Sequence, residues 1–151
     1  AVGEVNVVEL MKKTNAIIGG EGNGGIIYPE SHYGRDSMVG VALFLTYLAN
    51  QDKTVAEIRA SYPQYYMSKN KIELTPQIDV DNVLATLTEK YKSENLTTID
   101  GVKIDFPMEW VHLRKSNTEP IIRIYTEGPT QAEADNLAER FVKELKEIAG
   151  I

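Results

Sequence analysis

Asp100-Gly101 stands between two strand-like stretches, Leu96–Ile99 and Val102–Phe106. Both turn residues tolerate positive φ, so the segment reads as an antiparallel hairpin. Trp110–Arg114 and Ile121–Thr126 supply two more strands. Upstream, Val80, Val83, Leu84, Leu87 and Tyr91 recur at helical spacing. Downstream, Thr130 and Glu133 have capping-box spacing, and Leu137, Ala138, Phe141, Leu145 and Ile148 stripe a final helix. Helix, four strands and helix, in that order, predict an α+β domain over 77–151: a four-stranded antiparallel sheet with helices packed on it.

The first part is patterned differently. Residues 4–13 read as a short helix, Ala16–Gly19 as a short apolar strand, and Ile26-Ile27-Tyr28 as a second extended segment. Val41, Phe44, Leu45 and Leu48 mark one face of a helix over 37–50, and Thr54 with Glu57 opens another running to about Ala60. Short apolar strands are those of a buried sheet. Residues 1–61 are therefore expected to be the C-terminal part of an α/β domain whose other strands lie elsewhere. Residues 62–76, poorly patterned and holding Pro63 and Pro76, are expected to be the connection.

Composition narrows the function classes. The 151 residues carry a net charge of −6, which opposes broad binding to nucleic acid or an anionic membrane. The longest apolar run, Met38–Ala49, is broken by Gly40, Thr46 and Tyr47 and is too short to cross a bilayer. There is no cysteine, hence no disulfide, thiolate ligand or thiol nucleophile; a cytoplasmic location is the expectation. The opening Ala1-Val2-Gly3-Glu4 lacks a methionine and a signal-like stretch, which suggests a piece of a longer protein, although methionine removal or tag cleavage gives the same start. One segment runs against the total: residues 110–125 set Arg114, Lys115 and Arg123 against Glu119 alone.

Two loops carry the chemistry. In Gly19-Gly20-Glu21-Gly22-Asn23-Gly24-Gly25, five of seven residues are glycine. Gly20, Gly22 and Gly25 fit the spacing of a dinucleotide fingerprint, but that fingerprint needs a helix directly after it, and a strand pattern follows instead. What is left is a loop whose backbone can approach a ligand closely, bearing one carboxylate and one amide. Glu21 and Asn23 could meet adjacent sugar hydroxyls; the plain alternative is a turn facing water. In Gly34-Arg35-Asp36 the charged pair reads as a local salt bridge.

The second loop is Arg114-Lys115-Ser116-Asn117-Thr118-Glu119-Pro120-Ile121-Ile122-Arg123. Strand alternation puts Trp110, His112 and Arg114 on one face, and Arg123 with Ile121 and Tyr125 on one face of the next strand. If the two strands form a hairpin, both arginines converge beside a turn rich in hydroxyls and N–H groups, a setting suited to a phosphate. The alternative is a solvated polar hairpin turn. His112 reads as a strand-surface or turn-packing residue rather than a base.

The two motifs together, in this order and about ninety residues apart, resemble those of the α-D-phosphohexomutases, whose members interconvert 1-phospho and 6-phospho sugars. The resemblance spans the whole chain, as the later part of a third domain and all of a fourth. It implies that Glu21 and Asn23 contact sugar hydroxyls, and that Arg114, Ser116, Asn117, Thr118 and Arg123 hold the phosphate that is not being transferred. It also implies phosphoryl transfer through an enzyme phosphoserine with Mg²⁺ in the full-length parent, the upstream domains of which are the chain's partners. Asn23 stands where many members have serine. No segment resembles the family's phosphoserine loop or its aspartate-rich metal loop, so neither catalytic nor metal-ligating residues are expected here, and the chain alone is expected to be inactive. Rival readings are a stand-alone phosphosugar-binding module without a catalytic parent, and an interaction domain in which both loops are solvent turns.

Overall fold

Asp36, Thr54, Asp79 and Thr130 each accept backbone N–H groups through a side-chain oxygen and so start four helices. They belong to a computed structural model that describes residues 1–74, 78–116 and 119–151. The chain divides into two units, Ala1–Pro63 and Gln64–Ile151.

In the first unit, helix α1 (Glu4–Thr14) ends at Asn15, whose left-handed φ of 53° stops it. Strands β1 (Gly19–Gly20), β2 (Ile26–Tyr28) and β3 (His32–Arg35) then form a small antiparallel sheet in the order β1-β2-β3. Helices α2 (Ser37–Ala49) and α3 (Val55–Ala60) follow, the latter with the expected capping box. The apolar residues before β1 are not strand, and Ile17 and Ile18 are exposed. Strand β3 was not expected, because His32-Tyr33-Gly34-Arg35 has no apolar alternation and is mostly exposed. Glycine permits the packing of α1 here: a Cβ on Gly19 would lie 2.1 Å from the Met11 sulfur. The only buried apolar side chains among the described residues of this unit are Met11, Ile27 and Ile58, and α2 leaves Val41, Phe44 and Leu45 exposed within it.

The second unit has a larger core. Strand β4 (Tyr66–Glu73) precedes helix α4 (Val80–Lys90). Strands β5 (Asn95–Thr97), β6 (Val102–Asp105), β7 (Trp110–Lys115) and β8 (Ile121–Gly128) lead to helix α5 (Gln131–Ala149). The sheet is antiparallel and five-stranded, in the order β4-β8-β7-β6-β5. Residues 66–73, expected to lie in a connection, instead form an edge strand beside β8, which adds a fifth strand to the four expected. The reason is that the side chains of β4 on the helix side are Ser68, Asn70 and Ile72, two of them polar, so the period-two signal of a half-buried strand is missing. Expected residues Thr75, Pro76 and Gln77 of that connection lie outside the described residues.

Helices α4 and α5 cover one face of this sheet and enclose Val83, Leu87, Ile104, Val111, Leu113, Ile124, Phe141 and Leu145. Thr126, fully buried, donates its hydroxyl to the Ala134 carbonyl at 2.7 Å and ties β8 to the first turn of α5. Trp110, His112, Arg114, Arg123, Tyr125 and Glu127 take the opposite parity and form the helix-free face.

Candidate functional site: a glycine loop and a cationic sheet face

The glycine-rich segment is the turn between β1 and β2. Its backbone closes through Glu21 N–H to the Gly25 carbonyl at 3.3 Å and Gly24 N–H to the Glu21 carbonyl at 3.1 Å. Gly24 has φ +87°, and a Cβ on Gly20 would stand 2.5 Å from the Gly25 carbonyl oxygen, so both positions require glycine. The two polar side chains face one another: Asn23 Nδ2 donates to Glu21 Oε2 at 3.3 Å, and Asn23 Oδ1 accepts from Gly25 N–H at 2.9 Å. Glu21 Oε1 accepts from Gly3 N–H at 3.0 Å. Each carboxylate oxygen retains a second acceptor site, so the loop is held in shape without exhausting its capacity for a hydroxyl donor.

Beside it lies an open cavity of about 580 Å³ lined by Glu4, Asn23, Gly25, Arg35, Asp36 and Ser37. Arg35 crosses Gly25 and donates from Nε to Glu4 Oε2 at 2.8 Å, with its backbone N–H on Glu4 Oε1 at 3.2 Å. Its partner is thus Glu4, not the adjacent Asp36. Asp36 caps α2 by accepting from Met38 and Val39 N–H and faces His32 Nε2 at 3.1 Å. The Val39 N–H bond, then the His32 contact, holds the Asp36 carboxyl below its ordinary value.

On the second unit, the β7–β8 register sets Arg114 directly opposite Arg123. The hairpin on which their convergence depended is therefore present. Each guanidinium meets one carboxylate: Arg114 Nε lies 3.1 Å from Asp100 Oδ1, and Arg123 donates to Glu119 Oε2 at 3.2 Å. Ser116 is nearly buried; its N–H donates to the Ile121 carbonyl at 3.0 Å, and its Oγ accepts from Glu119 N–H at 3.3 Å. Asn117 and Thr118 lie outside the described residues. Glycine also shapes this end of the sheet: Gly101 has φ +75°, and a Cβ there would lie 2.1 Å from the Leu113 carbonyl oxygen and 3.0 Å from Arg114 Cα. His112 Nε2 sits 2.6 Å from the Asp100 carbonyl oxygen, the turn-packing role expected of it.

Two family profiles match the chain, overlapping over residues 48–66. Residues 1–66 match the family profile described as phosphoglucomutase/phosphomannomutase, alpha/beta/alpha domain III. Residues 48–144 match the C-terminal domain of the same family, which is well over half of the chain. The chain belongs to the phosphoglucomutase/phosphomannomutase family. Among similar curated relatives, the phosphoglucosamine/phosphogalactosamine mutase of Sulfurisphaera tokodaii is 40% identical over 149 residues, covering 97% of this chain and 32% of that protein. The phosphoglucomutase/phosphomannomutase of Thermococcus kodakarensis is 38% identical over 148 residues, with 97% and 32% covered. This chain thus spans about a third of the length of the mutases it matches. A solved phosphoglucomutase/phosphomannomutase family protein from Burkholderia thailandensis has the same fold, with a TM-score of 0.77 at 23% identity over 97% of this chain and 31% of that one.

Lys69 and Lys71 were not expected on this sheet face, because their strand was taken for a connection. Lys71 pairs with Arg123 and Lys69 with Tyr125 in the β4–β8 register. The acidic partners Asp100 and Glu119 were likewise missed; Asp100 was read only as a turn former. The one available signal was the Lys-x-Lys spacing of Lys69 and Lys71, which period two puts on a single face.

Proposed function

We propose that this chain is the sugar- and phosphate-recognising portion of a phosphohexomutase, which moves a phosphate between O1 and O6 of a hexose. The sugar contact falls to Glu21 and Asn23. The phosphate that is not being transferred falls to Arg114, Ser116, Asn117, Thr118 and Arg123. The observation that carries this reading is the cross-strand pairing of Arg114 with Arg123 beside the Ser116–Glu119 turn. Two guanidinium forks on adjacent strands offer paired N–H groups to a phosphate, and Ser116 beside them carries a hydroxyl. Like charges placed directly opposite each other on a sheet are unfavourable without an anion. Asp100 and Glu119 supply that anion in the free protein.

The chemical logic is positional. A group that fixes the unreactive phosphate holds the sugar while the other end reacts, and it serves both orientations of a bisphosphorylated sugar equally well. The Mg²⁺ of such enzymes supplies charge stabilisation at the transferring phosphoryl group. The described residues contain no group of three or more Asp, Glu or His side chains able to hold a metal. The phosphoserine belongs, in this reading, to the parent's other domains, and the 151-residue chain by itself turns over no phosphosugar.

Backbone amide shifts of the labelled chain during titration with glucose 1-phosphate test the clamp. Ser116, Ile121 and Arg123 are expected to move first and to saturate together. Unmoved amides at millimolar ligand on a folded chain would overturn the reading. Arg123→Ala should weaken binding by about 1.5–3 kcal/mol, the range for a hydrogen bond to a charged group.

A further inference from the structure

We propose that Lys71 is a third phosphate-binding residue, which makes the clamp a cationic row across three strands: Lys71 on β4, Arg123 on β8 and Arg114 on β7. This rests on the reading of Arg114 and Arg123 given above and extends it to a strand that neither the sequence motif nor the turn includes.

The register makes the row. Lys71 is the Cα partner of Arg123, and Arg123 is the Cα partner of Arg114. Directly paired residues share a face, so all three side chains leave the sheet on the side away from α4 and α5. With strands about 4.8 Å apart, Lys71 lies one strand from Arg123, well within the reach of its four-carbon stem. The end of β4 is also fastened to the phosphate turn itself: Leu74 N–H donates to the Pro120 carbonyl at 2.8 Å. Lys71 is therefore held in place relative to that turn.

Charge points the same way. Three cations side by side repel, and a sheet gains nothing from them unless an anion is shared. Arg114 has Asp100 and Arg123 has Glu119, but Lys71 has no carboxylate within ion-pair distance among the described residues. Glu73, two residues along β4 on the same face, is the nearest acid by sequence, and no ion pair joins it to Lys71 among the described residues. An open hollow of about 360 Å³ lies here, lined by Lys69, Lys71, Glu119, Ile121, Arg123 and Tyr125. It has room for a phosphate monoester beside Arg123. An ammonium on a flexible stem adds what the guanidinium forks lack, a mobile point charge able to follow a phosphate oxygen as the sugar attached to it changes orientation. Lys69 faces the same side one row away, opposite Tyr125, with its Nζ 5.8 Å from that ring. It is the natural comparison, having the same charge on the same strand and lining the same hollow without a place in the row.

The test is calorimetric titration of the 151-residue chain and its variants with glucose 1-phosphate and, separately, with inorganic phosphate. Circular dichroism first confirms that each variant is folded, as expected for exposed positions. Lys71→Ala should raise both dissociation constants by about tenfold, the equivalent of about 1.4 kcal/mol. Lys71→Arg, which keeps the charge, should restore most of the affinity, and Lys69→Ala should cost clearly less than Lys71→Ala. Without ligand, Lys71→Ala should also melt slightly higher than wild type, because one repulsive neighbour is gone. If Arg123→Ala abolishes binding while Lys71→Ala leaves it unchanged, Lys71 has no part in the clamp, although the clamp itself stands. An equal loss in Lys69→Ala and Lys71→Ala would mean a diffuse field rather than a row, and would also overturn the proposal. Wild-type protein that binds neither ligand removes the clamp and Lys71 together.

Discussion

Gly101 and Gly22 show how far a single missing Cβ can matter, and how little. Gly101 sits at φ +75° with the Leu113 carbonyl 2.1 Å from where a Cβ would be, next to Arg114. Gly101→Ala must therefore both strain its own backbone and push β7 away at the arginine. A loss of about 1–3 kcal/mol in unfolding free energy is expected, from urea denaturation, by analogy with other residues held in sparsely populated conformations. Gly22 has open space around its missing side chain and no positive φ, so Gly22→Ala should change stability by less than about 0.5 kcal/mol. Asp100-Gly101 was legible as a turn because its chemistry is local. That Asp100 also meets Arg114, and that its carbonyl meets His112, was not, since both contacts join residues twelve or more apart through a register that only the folded sheet defines.

At the scale of elements, capping signals and apolar stripes were the reliable guides. Thr54–Glu57 and Thr130–Glu133 open helices as their spacing predicts, and Val80, Val83 and Leu87 are buried on α4 as their periodicity predicts. Both strands that escaped notice, β3 and β4, have solvent on one side and polar residues where a core strand would have aliphatic ones. Periodicity reports burial, so an edge strand with a polar inner face leaves little trace. Omitting β4 hid the lysine that faces Arg123, and an error in one element thus became an omission from the cationic sheet face. The α4–α5 junction is more surprising still. Tyr91 donates its hydroxyl to Glu144 Oε2 at 2.8 Å and accepts from Arg140 at 2.9 Å, while Lys90 lies 2.5 Å from Glu144 Oε1. Burial first, then the bond to Glu144, pushes the Tyr91 hydroxyl above its ordinary value of 10.0, and Glu144 raises Lys90 above 10.5. Both groups bind their protons more tightly in the folded chain than in the unfolded one. Their contribution is complete below pH 10 and is lost as the pH rises through the folded-state values. The denaturation midpoint should accordingly fall above pH 10, and more gently in Tyr91→Phe, which removes one of the two titrations.

The two units differ most in what they bury. Seventeen of the twenty buried apolar residues among those described lie in Gln64–Ile151, and only Met11, Ile27 and Ile58 in Ala1–Pro63. Buried apolar area is the main source of stability, at roughly 25 cal/mol per Å², so resistance to opening should be divided as unevenly. Local opening follows the same account: backbone hydrogen bonds over a dense core open only with global unfolding, whereas those over few buried contacts open on their own. The strands Val111–Leu113 and Ile122–Ile124 and the helix face Leu137–Leu145 should therefore exchange their amides slowest, at a common free energy. Helix α2, with none of its side chains buried, should exchange orders of magnitude faster. Native-state hydrogen exchange on the 151-residue chain measures both at once. Equal protection in α2 and in β7 would mean that the apolar face of Val41, Phe44 and Leu45 is covered in solution. A large gap between them would instead mean that the cationic row is carried by a stable platform, while the glycine-rich loop belongs to a unit that can open by itself. Adding glucose 1-phosphate then separates the two sites thermodynamically. A ligand held by Arg114 and Arg123 alone should slow exchange at Ser116 and Ile121, and leave Glu21–Gly25 and α2 as they were.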